Sequence, residues 1–182
     1  MPVKSAFKGA FPIILLTVIV AIAVTALTFA DKLTRVKIEA QKEQEVHRML
    51  SELFPEMSRY DFKNDIYTIY SNGAEVGYAF LALGKGYGGE ISILVGLEDE
   101  NTIKDIIIVS QTETPGLGSR ITESSFTDRF TGLRIEDVAL AEEGGKVDAI
   151  TGSTISSKAV INAVRETAME KVKLLKASEE GG

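Results

Sequence analysis

"DIYTIYSNGAEVGYAFLAL", Asp65 to Leu83, is the stretch that decides the fold. Apolar and polar side chains alternate on both sides of Asn72-Gly73, a dipeptide suited to a tight β-hairpin because both residues tolerate positive φ. The pattern then repeats, with "EISILVGL" (90–97), the polar turn "EDEN" (98–101) and "TIKDIIIVSQ" (102–111) forming a second pair. Four strands joined by short turns, with no long helix between them, pair antiparallel. The expected class is α+β, built around one antiparallel sheet.

On the carboxyl side of the sheet the period lengthens. "ITESSFTDRF" (121–130) reads as a short helix closed by Thr131-Gly132, and "KVDAI" (146–150) as one more strand. "STISSKAVINAVRETAMEKVKLL" (153–175) reads as a long helix whose Ile155, Val160, Ile161, Val164, Ala168 and Val172 form an apolar stripe for packing on the sheet. Residues 177–182 read as a flexible tail.

On the amino side, "DKLTRVKIEAQKEQEVHRMLSELFPEM" (31–57) reads as a stalk helix with Val46, Met49, Leu50 and Leu53 at helical spacing and Pro55 as its stop. His47 is expected on its solvated surface. Before the stalk, Phe11 to Ala30 carries no charge over 20 residues. At about 1.5 Å per residue that run covers about 30 Å, the depth of a bilayer core. It exceeds the roughly 7–15 apolar residues of a signal-peptide core, so an uncleaved transmembrane anchor is expected. Lys4 and Lys8 precede it and Lys32, Arg35, Lys37 and Lys42 follow it. Counting basic residues therefore leaves the membrane side undecided. The expected organisation is a basic flank at 1–10, an anchor at 11–30, a stalk helix at 31–56, a domain at 57–176 and the tail at 177–182.

Composition narrows the chemistry. The 182 residues include no Cys and one His, and the formal net charge is -6. That rules out thiolate-held iron–sulfur clusters and CxxCH haem attachment, and leaves no usual metal-ligand set, so a redox cofactor here would be organic. Nucleic acid is not an expected partner, because phosphate backbones call for clustered Lys and Arg.

Three stretches remain. "GKGYGG" (84–89) formally fits G-x-G-x-x-G, but a strand follows it where a dinucleotide fingerprint requires a helix. Its four glycines either make a plain turn or admit a flat ligand close to the backbone, with Tyr87 available to stack. "TETPGLGS" (112–119) is either a Pro115-directed turn or a concavity formed by the N–H groups of Gly116, Leu117 and Gly118. "DAITGSTIS" (148–156) opens the last helix with more hydroxyls than a cap needs. Thr151 or Ser153 suffices as a cap; the surplus suits a phosphate resting on the positive helix end.

"DAITGSTIS" resembles the flavinylation signature of FMN-binding domains: Asp, two variable residues, Ser or Thr, Gly, a small residue, then the Thr that carries FMN. With "GYGG" before a strand, "ETPGLG" and a single anchor, the chain resembles the G-subunit family of Rnf electron-transport complexes. The C subunit of the sodium-translocating NADH:quinone reductase is similar, though typically longer. The resemblance implies that Thr154 carries FMN as a phosphate ester. It implies that Asp148, Thr151, Gly152 and Ser153 complete a signature read by a separate flavin transferase using FAD and Mg²⁺, with other hydroxyls bonding the phosphate. Ser153 stands where Ala is commonest. Glu113, Thr114, Gly116, Leu117 and Gly118, with Tyr87 and Gly88, would line the flavin.

The function so implied is that of an electron-carrier subunit. Its complex would couple electron transfer between ferredoxin and NAD⁺ to Na⁺ or H⁺ translocation, the chain contributing no catalytic residue and no metal ligand of its own. Partners would be the membrane and peripheral subunits and the lipid bilayer. The location would be the cell (inner) membrane, single-pass, with the domain on the extracytoplasmic side. The alternatives are the corresponding quinone-reductase subunit and, from a different class, an anchored domain that binds a ligand reversibly without redox chemistry.

Overall fold

The computed structural model describes residues 4–180, with the side chains of 15–29 and 43–177. Helix α1 (Lys4–Leu53) leads into five strands: β1 (Arg59–Lys63), β2 (Ile66–Ser71), β3 (Ala74–Lys85), β4 (Glu90–Leu97) and β5 (Ile103–Ser110). They form one sheet in the order β1-β2-β3-β4-β5, each antiparallel to the next. Beyond it come a 3₁₀ turn (Gly118–Thr122), the short helix α2 (Ser124–Thr127), two further 3₁₀ turns and the helix α3 (Thr154–Glu180). The class is α+β, as the hairpin pattern requires.

Asn72 and Gly73 take φ of +51° and +85°, the turn that joins β2 to β3. Asn64 and Asp65, at +55° and +59°, make a similar turn between β1 and β2. The sheet therefore gains an edge strand that the alternation from Asp65 onward did not include. The expected strand at 146–150 does not form. Val147 makes only an isolated bridge with Leu140, because this segment runs among turns and has no neighbouring strand to pair with. The helix expected over 121–130 is split between the first 3₁₀ turn and α2. Helix α3 continues to Glu180, so most of the stretch read as a tail is helical, and 181–182 lie outside the described residues.

One face of the sheet packs on α3. Phe80 and Ala82 of β3, Ile91, Ile93 and Val95 of β4, and Val160, Ile161, Val164 and Ala168 of α3 belong to one buried cluster. Each large apolar side chain so buried contributes about 1.5–3 kcal/mol. Gly84 sets the closeness of the contact: a Cβ there would lie 2.7 Å from the Ala159 carbonyl oxygen. Ile155 departs from the expected stripe and is 59% exposed.

The other face receives the end of α1. Leu50 and Phe54 are fully buried, and a Cβ at Gly77 or Gly96 would meet the Phe54 ring at 2.7 or 3.3 Å. These residues, at the end of α1 and just after it, belong with the domain, and the chain divides into compact units at His47/Arg48. The expected anchor at 11–30 falls partly outside the described side chains. Among the described residues no helix is long and apolar enough to cross a membrane.

Candidate cofactor-binding site

The start of α3 is shaped by a turn. Gly152, at φ +82°, reverses the chain, and the Ser153 N–H donates to the Ile150 carbonyl at 2.9 Å. The Ser157 N–H then donates to the Ser153 carbonyl at 3.0 Å, the first bond of the helix. The Ser157 hydroxyl accepts the Ile150 N–H at 3.0 Å and pins the turn to the helix. Just beyond α2, Arg129 donates to the Asp148 carbonyl at 2.6 Å and to that of Ser125 at 2.7 Å, holding the incoming segment.

Glu113 joins the three glycine- and hydroxyl-rich stretches. It is 5% exposed. Its Oε1 accepts the Gly88 N–H at 2.9 Å, and its Oε2 accepts the Ser156 hydroxyl at 2.5 Å. Its own N–H donates to Gln111 Oε1 at 2.6 Å. The glycines around it have no room to spare. A Cβ at Gly86 would lie 2.1 Å from Glu113 Oε1, one at Gly118 2.6 Å from Oε2, and one at Gly88 2.2 Å from the Thr112 carbonyl. The space these glycines leave is filled by the protein's own carboxylate and backbone.

Between the three stretches lies a cleft of about 600 Å³. Of the residues expected at the site, Tyr87, Glu113, Thr114, Leu117 and Gly118 line it from one side, and Gly152, Ser153 and Thr154 from the other. Gly88 is one hydrogen bond away, through Glu113. Gly116, Asp148 and Thr151 are exposed and do not line it. Ile155 and Ser156 line it as well. The signal for Ile155 was its five-residue gap to Val160, which is out of step with a helical stripe; for Ser156 no sequence signal separated it from its hydroxyl neighbours.

The two ends of the cleft differ in character. Tyr87, Leu117 and Ile155 are 74, 51 and 59% exposed, giving an apolar side that water reaches. At the start of α3, Thr154 is exposed. Ser153 is buried, and its Oγ has no hydrogen-bond partner. A buried hydroxyl left unpaired costs about 1–3 kcal/mol. The N–H groups of Thr154, Ile155 and Ser156 have no intrahelical acceptor. The expectation that the surplus hydroxyls bond a phosphate does not extend to Ser156 and Ser157, which already hold Glu113 and Ile150. Nor is Ser153 a side-chain cap. The site suits a ligand with a flat apolar body and an anionic end, and its volume lies within the range of cofactor clefts.

A family model described as FMN-binding domain matches residues 86–169, a span containing every residue that lines this cleft. The G subunit of the ion-translocating oxidoreductase complex of Methanosarcina acetivorans is 35% identical over 159 residues, 80% of this chain and 84% of that protein. The chain belongs to this family, the G subunits of ion-translocating oxidoreductase (Rnf) complexes. The corresponding G subunit of the proton-translocating ferredoxin:NAD(+) oxidoreductase complex of Clostridium ljungdahlii is 29% identical over 154 residues, 83% of each chain. Among solved structures, Shewanella oneidensis NqrC aligns at 22% identity with a TM-score of 0.49, covering 66% of this chain and 70% of that one.

Proposed function

We propose that this chain is the FMN-bearing electron-carrier subunit of an Rnf complex that couples electron transfer between ferredoxin and NAD⁺ to ion translocation, and that Thr154 carries the flavin covalently. The observation that carries the proposal is the meeting, in one cleft, of an exposed threonine hydroxyl on the first turn of α3 with an apolar side formed by Tyr87, Leu117 and Ile155. FMN, when bound, supplies the group that accepts and releases electrons.

The chain's own residues hold and orient. Thr154 is the attachment point: its oxygen forms a bond to the FMN-side phosphorus of FAD, the bond to AMP breaks, AMP leaves and the hydroxyl proton is released. A separate flavin transferase performs this exchange. The free N–H groups of α3 would hold the anionic diester. Tyr87, Leu117 and Ile155 would hold the ring, and Glu113 fixes the glycine loop to the helix start so that both ends of the cleft keep their spacing. The chain supplies no acid, base or nucleophile that turns over.

The uncharged run at 11–30 supports a single-pass anchor, with the domain on the extracytoplasmic side and the other Rnf subunits as partners. A covalent tether is useful there, where a dissociated flavin would be lost. The test is co-expression with a flavin transferase followed by denaturing electrophoresis. The native chain is expected to fluoresce as flavin in the gel, and Thr154→Val to be dark while its circular dichroism is unchanged. A fluorescent Thr154→Val band would move the bond to another residue. A dark native band would refute covalent attachment and favour the reversible ligand-binding domain.

A further inference from the structure

One charged side chain lines the cleft, and its bonding does not need the charge. Glu113 is 5% exposed, and none of the other residues lining the cleft is Asp, Glu, Lys, Arg or His. Its two oxygens accept the Gly88 N–H and the Ser156 hydroxyl. A glutamine of the same size would meet both groups, its oxygen accepting from Gly88 and its amide donating to Ser156. It would do so without the desolvation that burying a carboxylate costs. Closure of the fold therefore explains an acceptor at residue 113 and leaves its negative charge unexplained. Among the described residues no cation pairs with it. Arg120 pairs with Glu123 at 3.3 Å and Lys158 with Glu143 at 2.5 Å. Lys85, in the glycine loop itself, lines a separate cleft together with Glu90.

We propose that Glu113 sets the potential of the relay: its buried charge disfavours adding an electron to the flavin and so holds the flavin's reduction potential low. This rests on the electron-carrier reading above. Each electron given to the ring adds one negative charge there unless a proton enters with it, so reduction sets a second negative charge near the carboxylate. A compact cleft of about 600 Å³ is about 8 Å across, taken as the cube root of that volume. A ring within it lies inside the distance over which a partly buried charge is felt. At an effective dielectric constant of about 20, two unit charges about 10 Å apart change an equilibrium by about tenfold. The opposing influence is the partial positive charge at the start of α3, and that end would be taken up by the anionic diester. Iron–sulfur ferredoxins give up electrons at low potential, and a flavin held low exchanges with such a donor without a large loss of driving force.

The test uses the full-length chain, co-expressed with a flavin transferase and purified in detergent with its flavin attached. Flavin absorbance is followed under nitrogen as dithionite is added in the presence of mediator dyes, and the potential of half-reduction is read. Glu113→Gln is expected to shift the reduction equilibrium about tenfold toward the reduced form for each electron, a rise of about 59 mV. Glu113→Asp keeps the charge on a side chain too short to reach both Gly88 and Ser156. It is expected to melt below Glu113→Gln and yet to keep the native potential, so that melting temperatures of the same samples separate charge from bonding. A Glu113→Gln potential equal to the native one would overturn the proposal. So would equal rises in both variants, which would trace the effect to altered bonds. Failure of Glu113→Gln to take up flavin would overturn it as well, since the charge would then serve assembly. In each of these cases the native chain still carries a reducible flavin, and the flavin reading stands. A native chain with no flavin to titrate would defeat that reading and the proposal together.

Discussion

Glu113 shows what a single residue does for this site. It is a buried carboxylate with an N–H on one oxygen and a hydroxyl on the other, and those two bonds tie the loop at 84–89 to the first turn of α3. Glu113→Ala would strand the Gly88 N–H and the Ser156 hydroxyl and open a void against Gly86 and Gly118. A loss of about 2–4 kcal/mol is expected in chemical denaturation, with loss of flavin incorporation. Glu113→Gln keeps an acceptor for Gly88, and Ser156 can rotate to accept from the new amide, so most of the stability should return. Equal losses for both variants would show that the charge, not the bonding pattern, is what the cleft requires. Little of this was legible in the sequence. Clustered glycines signal close approach, but nothing in "GKGYGG" says whether the approaching group is a ligand or a side chain from residue 113.

Among the elements, the contact between β3 and α3 sets where Thr154 sits. Gly84 brings the strand to the helix backbone at Ala159, five residues beyond Thr154, with no space for a side chain. Gly84→Val is expected to push α3 off the sheet, cost about 1–3 kcal/mol, and lower flavin incorporation even though residue 84 does not line the cleft. Denaturation midpoints and in-gel fluorescence of the same samples would check both effects; full incorporation would show that the helix position is not critical. The hairpins were readable because Asn72-Gly73 announces its own turn. Strand β1 was not, since Asn64-Asp65 lacks the glycine and four of the strand's five residues are exposed, leaving no buried face to betray it. The segment at 146–150 misled for the opposite reason: its side chains suit a strand, but strand formation needs a neighbour's free backbone, and none adjoins it.

For the molecule as a whole, pH should shift stability through Asp105 on β5. Burial first, then the nearby Asp128 and Glu52 carboxylates, raise its pKa above the ordinary 3.8, while the Ile106 N–H and the Thr131 hydroxyl pull the other way. A carboxyl raised on folding adds stability that is full below about 3.8 and is lost as pH rises through the folded value. Asp105→Asn keeps the acceptor oxygen without the charge. It is expected to raise the melting temperature at pH 7 and to lose that advantage near pH 3; an unchanged melting temperature at pH 7 would show that the charge is well solvated. Glu56 runs in the other sense, lowered chiefly by its hydrogen bond from Lys104, so its contribution is present above 4.5 and lost as pH falls. It is largely exposed, and solvent screening keeps its effect small.

The most direct measurement is fragmentation mass spectrometry of the tryptic peptide 147–158 from full-length protein co-expressed with the flavin transferase. That peptide contains Thr151, Ser153, Thr154, Ser156 and Ser157, so backbone fragments on either side of each hydroxyl locate the modification. One FMN phosphoryl group is expected on the peptide, lying between the bonds that flank Thr154. An unmodified peptide, or a flavin on any of the other four hydroxyls, would contradict it.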